Sequence, residues 1–182
     1  MEKSIILIDA ENILRSWWEY CKQKNVKDNI DYKKLVDALS SNTNLLRAYF
    51  YDGVPEIVPF KKKNFLEILQ KKGIQLRTKI LKNRKQTCEK CGDSIIREVQ
   101  KGVDVSLATD ILRHAWQNTC DICIIVSGDE DYKDAIEVAK DKGIKIWVAS
   151  FRNSLSFELE RTADKVIFLE GFFEVIKLRN KE

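Results

Sequence analysis

Ser4-Ile5-Ile6-Leu7-Ile8-Asp9 and Asp121-Ile122-Cys123-Ile124-Ile125-Val126-Ser127 are two short apolar runs that each lead into acidic residues. The first continues as Ala10-Glu11-Asn12, the second as Gly128-Asp129-Glu130-Asp131. A strand that is apolar along its whole length, rather than alternating, is buried on both faces, as in a parallel sheet. Further β-rich stretches are Leu45–Tyr51, Gln75–Leu81, Ile144–Ser150 and Lys165–Leu169. Helical patterns separate them. Asn12–Lys24 sets Ile13, Leu14, Trp17 and Cys21 at helical spacing. Asp31–Ser40 opens with a candidate N-cap, and Phe60–Lys72 stops at Gly73. Asp104–Asn118 carries a stripe of Ala108, Ile111, Leu112 and Ala115, with His114 expected partly exposed on that helix. Asp131–Lys142 ends at Gly143, and Leu155–Thr162 and Phe172–Leu178 complete the set. The alternation predicts an α/β fold: a doubly wound, mostly parallel sheet with helices on both faces, in a single domain over residues 1–182.

Composition narrows the chemistry. The 182 residues are 44% apolar and 33% charged, an ordinary globular balance. The 32 basic and 28 acidic residues leave a net charge of +4, which permits a polyanionic partner. A single histidine excludes chemistry that needs a histidine pair or cluster. The seven glycines form neither a G-x-G-x-x-G nor a G-x-x-x-x-G-K string. No run of about 18 apolar residues is present to span a membrane. The five cysteines, with no secretory signal, point to a reducing, cytoplasmic setting.

In doubly wound folds the ligand lies beyond the C-terminal ends of the strands, at the switch point. Here those ends are acidic: Asp9 after the first strand, Asp129 and Asp131 after DICIIVS, and Asp104 at a helix start expected on the same rim. Clustered carboxylates repel and are stable mainly around a cation. All-oxygen donors suit Mg²⁺ or Mn²⁺. Such a cation can orient a phosphodiester and lower the pKa of an attacking water, so nuclease chemistry needs no histidine. Each acid also has a structural reading, Asp104 as a helix cap and Asp131 as a first-turn acid.

The strings IDAEN (Ile8–Asn12), KGVDVSLATD (Lys101–Asp110) and SGDEDY (Ser127–Tyr132) resemble the motifs of the NYN domain, the LabA-like branch of the PIN-like nuclease superfamily. They follow the family's order, and Ser154-Leu155 with Ala163-Asp164 is similar to its C-terminal signature. The likeness spans about Ser4 to Leu169. It implies a Rossmann-like, PIN-like sheet and metal-dependent cleavage of RNA, with Asp9, Asp104 and Asp129 as metal ligands. It further implies Asp131 as an added acidic member and Asn12 as a positioning residue. Asp110, Ser127 and Ser154 would support the site.

One segment interrupts the alternation. Gln75–Leu81 and Ser94–Val99 flank a polar stretch and read as a long inserted hairpin, at about 79–99, that projects beyond the rim. Lys79, Lys82, Arg84, Lys85, Lys90, Arg97 and Lys101 make it basic, fitted to hold an RNA backbone beside the acids, or else a solvated charged hairpin. Lys61-Lys62-Lys63 reads as a solvated helix start. Cys88-x-x-Cys91 resembles half of a zinc knuckle. It would hold structural Zn²⁺ with a second chain's pair, giving a homodimer, or with a non-cysteine ligand, or it is metal-free. Cys120 and Cys123, at opposite strand parity, are expected to point to opposite faces as buried cysteines. Trp17, Trp116 and Trp147 are expected in the core, while Trp18 and Tyr132 are candidates to stack on a base.

Two other functions compete with the nuclease. Gly128-Asp129 followed by Asp134 resembles the late motif of haloacid-dehalogenase-type phosphatases, but the first strand carries Asp9-Ala10-Glu11 where those need Asp-x-Asp. The other is a non-catalytic module of the same fold that binds RNA or assembles partners.

Overall fold

The computed structural model describes residues 1–87, 94–99 and 102–178, with backbone alone for 82–87 and 94–99. Six strands form one parallel sheet: β1 (Lys3–Asp9), β3 (Asn44–Val54), β4 (Ile74–Ile80), β7 (Ile122–Val126), β8 (Lys145–Ser150) and β9 (Lys165–Phe168). Their order is β4-β3-β1-β7-β8-β9. The chain steps outward from β1 to β4, returns, and winds the other way from β7. β1 and β7 therefore flank the switch point, the site where a doubly wound sheet opens a crevice.

Helices cover both faces. On one lie α1 (Ala10–Gln23), α2 (Tyr32–Ser40), α3 (Phe60–Lys71) and α7 (Phe173–Ile176). They pack on Ile6, Ile8, Phe50, Ile124 and Val126. On the other lie α4 (Val103–Trp116), α5 (Lys133–Asp141) and α6 (Phe157–Thr162), packed on Ile5, Leu7, Tyr49, Tyr51 and Ile125. Period-two alternation within each strand assigns the two sets. Asp9 shares parity with Ile5 and Leu7, so its carboxylate belongs to the α4–α5 face. Local signals hold where they have a mechanism. Asp31 caps α2 through its carboxylate, accepting from Lys33 and Lys34 N–H, and Gly73 takes φ +83° after α3. A two-residue antiparallel pair, β2 (Asn29–Ile30) with β10 (Lys177–Leu178), has no counterpart in the sequence pattern.

Several expectations are corrected. The hairpin is β5 (Lys82–Thr87) with β6 (Ser94–Val99), in register from Lys82↔Val99 to Thr87↔Ser94. Gln75–Leu81 is not its first arm. Ile74 and the half-buried Leu76 place that stretch on the core, where β4 pairs with β3. Lys82–Thr87 has no apolar residue to bury, so it pairs outside the sheet. The hairpin leaves from the C-terminal end of β4, the edge at which β1 and β7 also end. Cys88, Cys91, Lys90 and Lys101 lie outside the described residues, and with them the zinc and two-chain readings.

Trp116 is 74% exposed, with Lys142 Nζ 4.1 Å from its ring centroid. Leu112 also faces outward. The inward face of α4 is instead Val103, Leu107, Asp110, Ile111, His114 and Ala115. His114 is buried, its Nδ1 2.7 Å from Thr119 Oγ1 and its ring 5.4 Å from Tyr49. Asp110 and the Nδ1 of His114 meet partners there, while His114 Nε2 meets none among the described residues. Cys120 and Cys123 share one core cluster, because β7 starts at Ile122 and strand parity does not govern Cys120. Trp147 is half-buried against the core, and Trp17 and Cys21 are fully inside it. Among the described residues, no helix is long and apolar enough to cross a membrane.

Candidate active site

Register delivers the first two elements of the site. Ile8 pairs with Val126, so Asp9 and Ser127 leave their strands side by side. Asp9 is 3% exposed. Its Oδ1 accepts from Asn12 N–H at 3.2 Å, which caps α1. Its Oδ2 accepts from Ser127 Oγ at 3.1 Å and from the Tyr132 hydroxyl at 2.9 Å. Burial pushes the Asp9 carboxyl above the ordinary range. The Asn12, Tyr132 and Ser127 donors pull it back, and the charge of Asp129 pushes it further up.

The loop after β7 is shaped by close approach. Gly128 N–H donates to Asn12 Oδ1 at 3.0 Å. A Cβ on Gly128 would stand 2.0 Å from the Ser154 carbonyl oxygen, so only glycine fits. Ser156 N–H donates to Gly128 O at 2.9 Å, and Ser154 Oγ lies 3.0 Å from Ser150 Oγ. Ser154 therefore acts by packing the loop. Ser127 Oγ also accepts from Asp129 N–H at 3.2 Å, and Asp129 Oδ1 accepts from Asp131 N–H at 3.1 Å. Asp129 thus opens the short turn Glu130–Tyr132, half-buried, while Asp131 is exposed.

Asp104 arrives from α4. Gly102, at φ +86°, turns the chain into that helix with no side-chain cap. Asp104 is thereby free of the capping role, and Tyr132 Oη stands 3.5 Å from its Oδ1. Partial burial and the charges of Asp9, Asp129 and Asp131 all raise the Asp104 carboxyl above its usual range. Asp104 therefore senses the other three acids across the rim. All are oxygen donors, the chemistry that Mg²⁺ or Mn²⁺ takes. The set fits such an ion by donor type and charge. Among the described residues, however, no three His, Cys, Asp or Glu side chains stand grouped closely enough to hold one.

Two expected residues have other positions. Asp110 is 5% exposed and accepts from Tyr51 Oη at 2.7 Å, from Arg77 Nε at 3.2 Å and from an Arg113 guanidinium nitrogen at 2.8 Å. It anchors α4 to β3 and β4, separately from the four acids. Tyr132 is 1% exposed and is no base-stacking platform. Its hydroxyl, pushed far up by burial and by Asp9 and Asp104, stays protonated as a donor. That role had one sequence signal, its place directly after Gly128-Asp129-Glu130-Asp131. Lys79 is exposed on β4, and the backbone of Lys82, Arg84, Lys85 and Arg97 forms the hairpin. Glu11 is exposed in the first turn of α1.

Comparisons with known proteins agree with this fold. The NYN domain model matches residues 3–170. The low amplitude and bright protein LabA of Synechococcus elongatus is 27% identical over 174 residues, covering 94% of this chain and 86% of that protein. An uncharacterized Sinorhizobium fredii protein, y4oD, is 32% identical over 68 residues, 36% of this chain and 32% of its own. A crystal structure of a Vibrio parahaemolyticus protein of unknown function, VPA0982, has the same fold, with a TM-score of 0.71 at 22% identity. That match covers 97% of this chain and 96% of the other.

Proposed function

The chain belongs to the NYN domain family, among the PIN-like nucleases, and from that premise we propose that it is a metal-dependent ribonuclease acting through Asp9, Asp104 and Asp129. The observation that carries the reading is electrostatic. A buried Asp9 and a half-buried Asp104 both have raised carboxyl pKa values, and each feels Asp129. Burial is the first cause of both shifts and like charge adds to it, so carboxylates kept in one cleft against desolvation and repulsion support a functional site there. Mg²⁺ or Mn²⁺, held by Asp9, Asp104 and Asp129, would neutralise the acids and make a water a competent nucleophile toward phosphorus.

The chain's own residues do the rest. Ser127, Tyr132 and the Asn12 N–H hold the Asp9 carboxylate in one orientation. The Asn12 side chain holds the loop that carries Asp129. Asp131, exposed beside Asp129, would take the proton of the attacking water. Lys79 and the hairpin cations Lys82, Arg84, Lys85 and Arg97 would hold the RNA backbone.

The test is cleavage of a labelled single-stranded RNA in Mg²⁺ and in Mn²⁺ by parent, Asp9→Asn and Asp129→Asn. Metal-dependent cleavage that falls by about 10²–10³ or more in both variants is expected. Cleavage that survives both substitutions would overturn the assignment. RNA binding without cleavage in either metal would favour the non-catalytic module.

A further inference from the structure

On the other face of the sheet, at the same rim, lies a pocket of about 560 Å³. Its size is that of a small-ligand site. Trp18, 56% exposed, and the half-buried Phe65 supply its aromatic surface, above the buried Tyr32 and Phe50. Ala10 and Glu11 also line it, so the pocket shares the first turn of α1 with the acid site that begins at Asp9. Into this apolar setting β3 delivers Asp52, which is 7% exposed and ion-paired to Lys62 of α3. Burial pushes the Asp52 carboxyl up, against the pull of Lys62. If packing alone were served, an apolar pair would be at least as stable. Lys62, read from sequence as part of a solvated helix start, is thus a polar wall of a cavity.

We propose that this pocket takes a guanine base of the bound RNA strand, an inference that rests on the ribonuclease reading for its substrate. Guanine's edge offers one acceptor, O6, beside two donors, N1–H and N2–H₂. The Asp52 carboxylate can accept two adjacent donors, which guanine presents and the Watson–Crick edges of adenine, cytosine and uracil do not, and the Lys62 ammonium beside it can donate to O6. Single-stranded bases are recognised in this way, stacked on aromatic rings and bonded along an edge. A strand crossing the rim would set its base on the α1–α3 face and its phosphate over the acids.

The experiment is binding of GMP, AMP, CMP and UMP to the full chain without divalent metal, followed by NMR of the tryptophan indole N–H signals. Parent, Trp18→Ala, Asp52→Asn and the outlying Trp116→Ala are compared, each checked for fold by circular dichroism. GMP should bind about tenfold tighter than CMP, Trp18→Ala should weaken it about tenfold, and Asp52→Asn should remove the base preference. Trp116→Ala should bind like the parent. Absence of saturable GMP binding, equal binding of all four nucleotides, or indifference to Trp18→Ala overturns the proposal. RNA cleavage without GMP binding would remove the pocket and leave the nuclease. GMP binding without cleavage would do the reverse.

Discussion

Tyr132 donates a 2.9 Å hydrogen bond from its hydroxyl to Asp9 Oδ2, tying the loop after β7 to the last residue of β1. The Tyr132 hydroxyl also stands 3.5 Å from Asp104 Oδ1, so one buried phenol touches carboxylates from two elements. Asp9 and Asp104 are thereby held on a single rim despite their mutual repulsion.

Removing that hydroxyl should loosen the rim. Tyr132→Phe leaves Asp9 Oδ2 with Ser127 alone among these two donors. A loss of about 1–2 kcal/mol in urea unfolding is expected. Unchanged stability would show that the bond contributes nothing net.

Asp104 should destabilise the protein it equips. Its folded carboxyl lies above the ordinary 3.8. The folded state therefore binds this proton more tightly than the unfolded state does. The resulting stability is full below the unfolded value and is lost as pH rises through the raised folded value. At neutral pH, in EDTA, Asp104→Asn should raise the melting temperature by about 1–3 °C, and the gain should fade toward pH 3. Mg²⁺ or Mn²⁺ should stabilise the parent and not this variant. A metal-free melting temperature that falls on substitution would contradict this account.

Asp110 makes the opposite prediction. Asp110→Asn weakens bonds to Tyr51, Arg77 and Arg113, whose guanidiniums can reach water. A cost of about 1–3 kcal/mol is expected, with RNA cleavage per folded molecule close to that of the parent. Loss of cleavage at full stability would move Asp110 into the acid site.

Gly128→Ala should fail for a steric reason. The added Cβ meets the Ser154 backbone carbonyl at 2.0 Å, where no side chain can rotate away. Destabilisation of about 2–4 kcal/mol is expected by thermal melting, together with displacement of Asp129 and weaker metal binding. A variant as stable as the parent would show that this loop is free to move.

Much of the fold is legible in the chain because its signals are local. SIILID and DICIIVS announce strands buried on both faces, and the intervening helical periods announce crossovers. The acids Asp9, Asp104 and Asp129 are legible too, since strand ends and helix starts in such a sheet share an edge. Asp110 and His114 broke the helical pattern because Asp110 is held by Tyr51 and Arg77 and His114 packs on Tyr49, all from other parts of the chain. Gln75–Leu81 joined the sheet instead of the hairpin because β3 offered a free edge on which Ile74 and Leu76 reach the core.

The sequence by itself determined the class of sheet, its winding and the acidic character of its rim, since these follow from periodicity and from the residues that end each strand. Only the tertiary structure decided that Tyr132 bonds Asp9 and that Asp52 and Lys62 meet inside a cavity. It alone also decided that Gly128 must be glycine. Those relationships join residues of different elements, and no spacing within a single segment encodes a distance between elements.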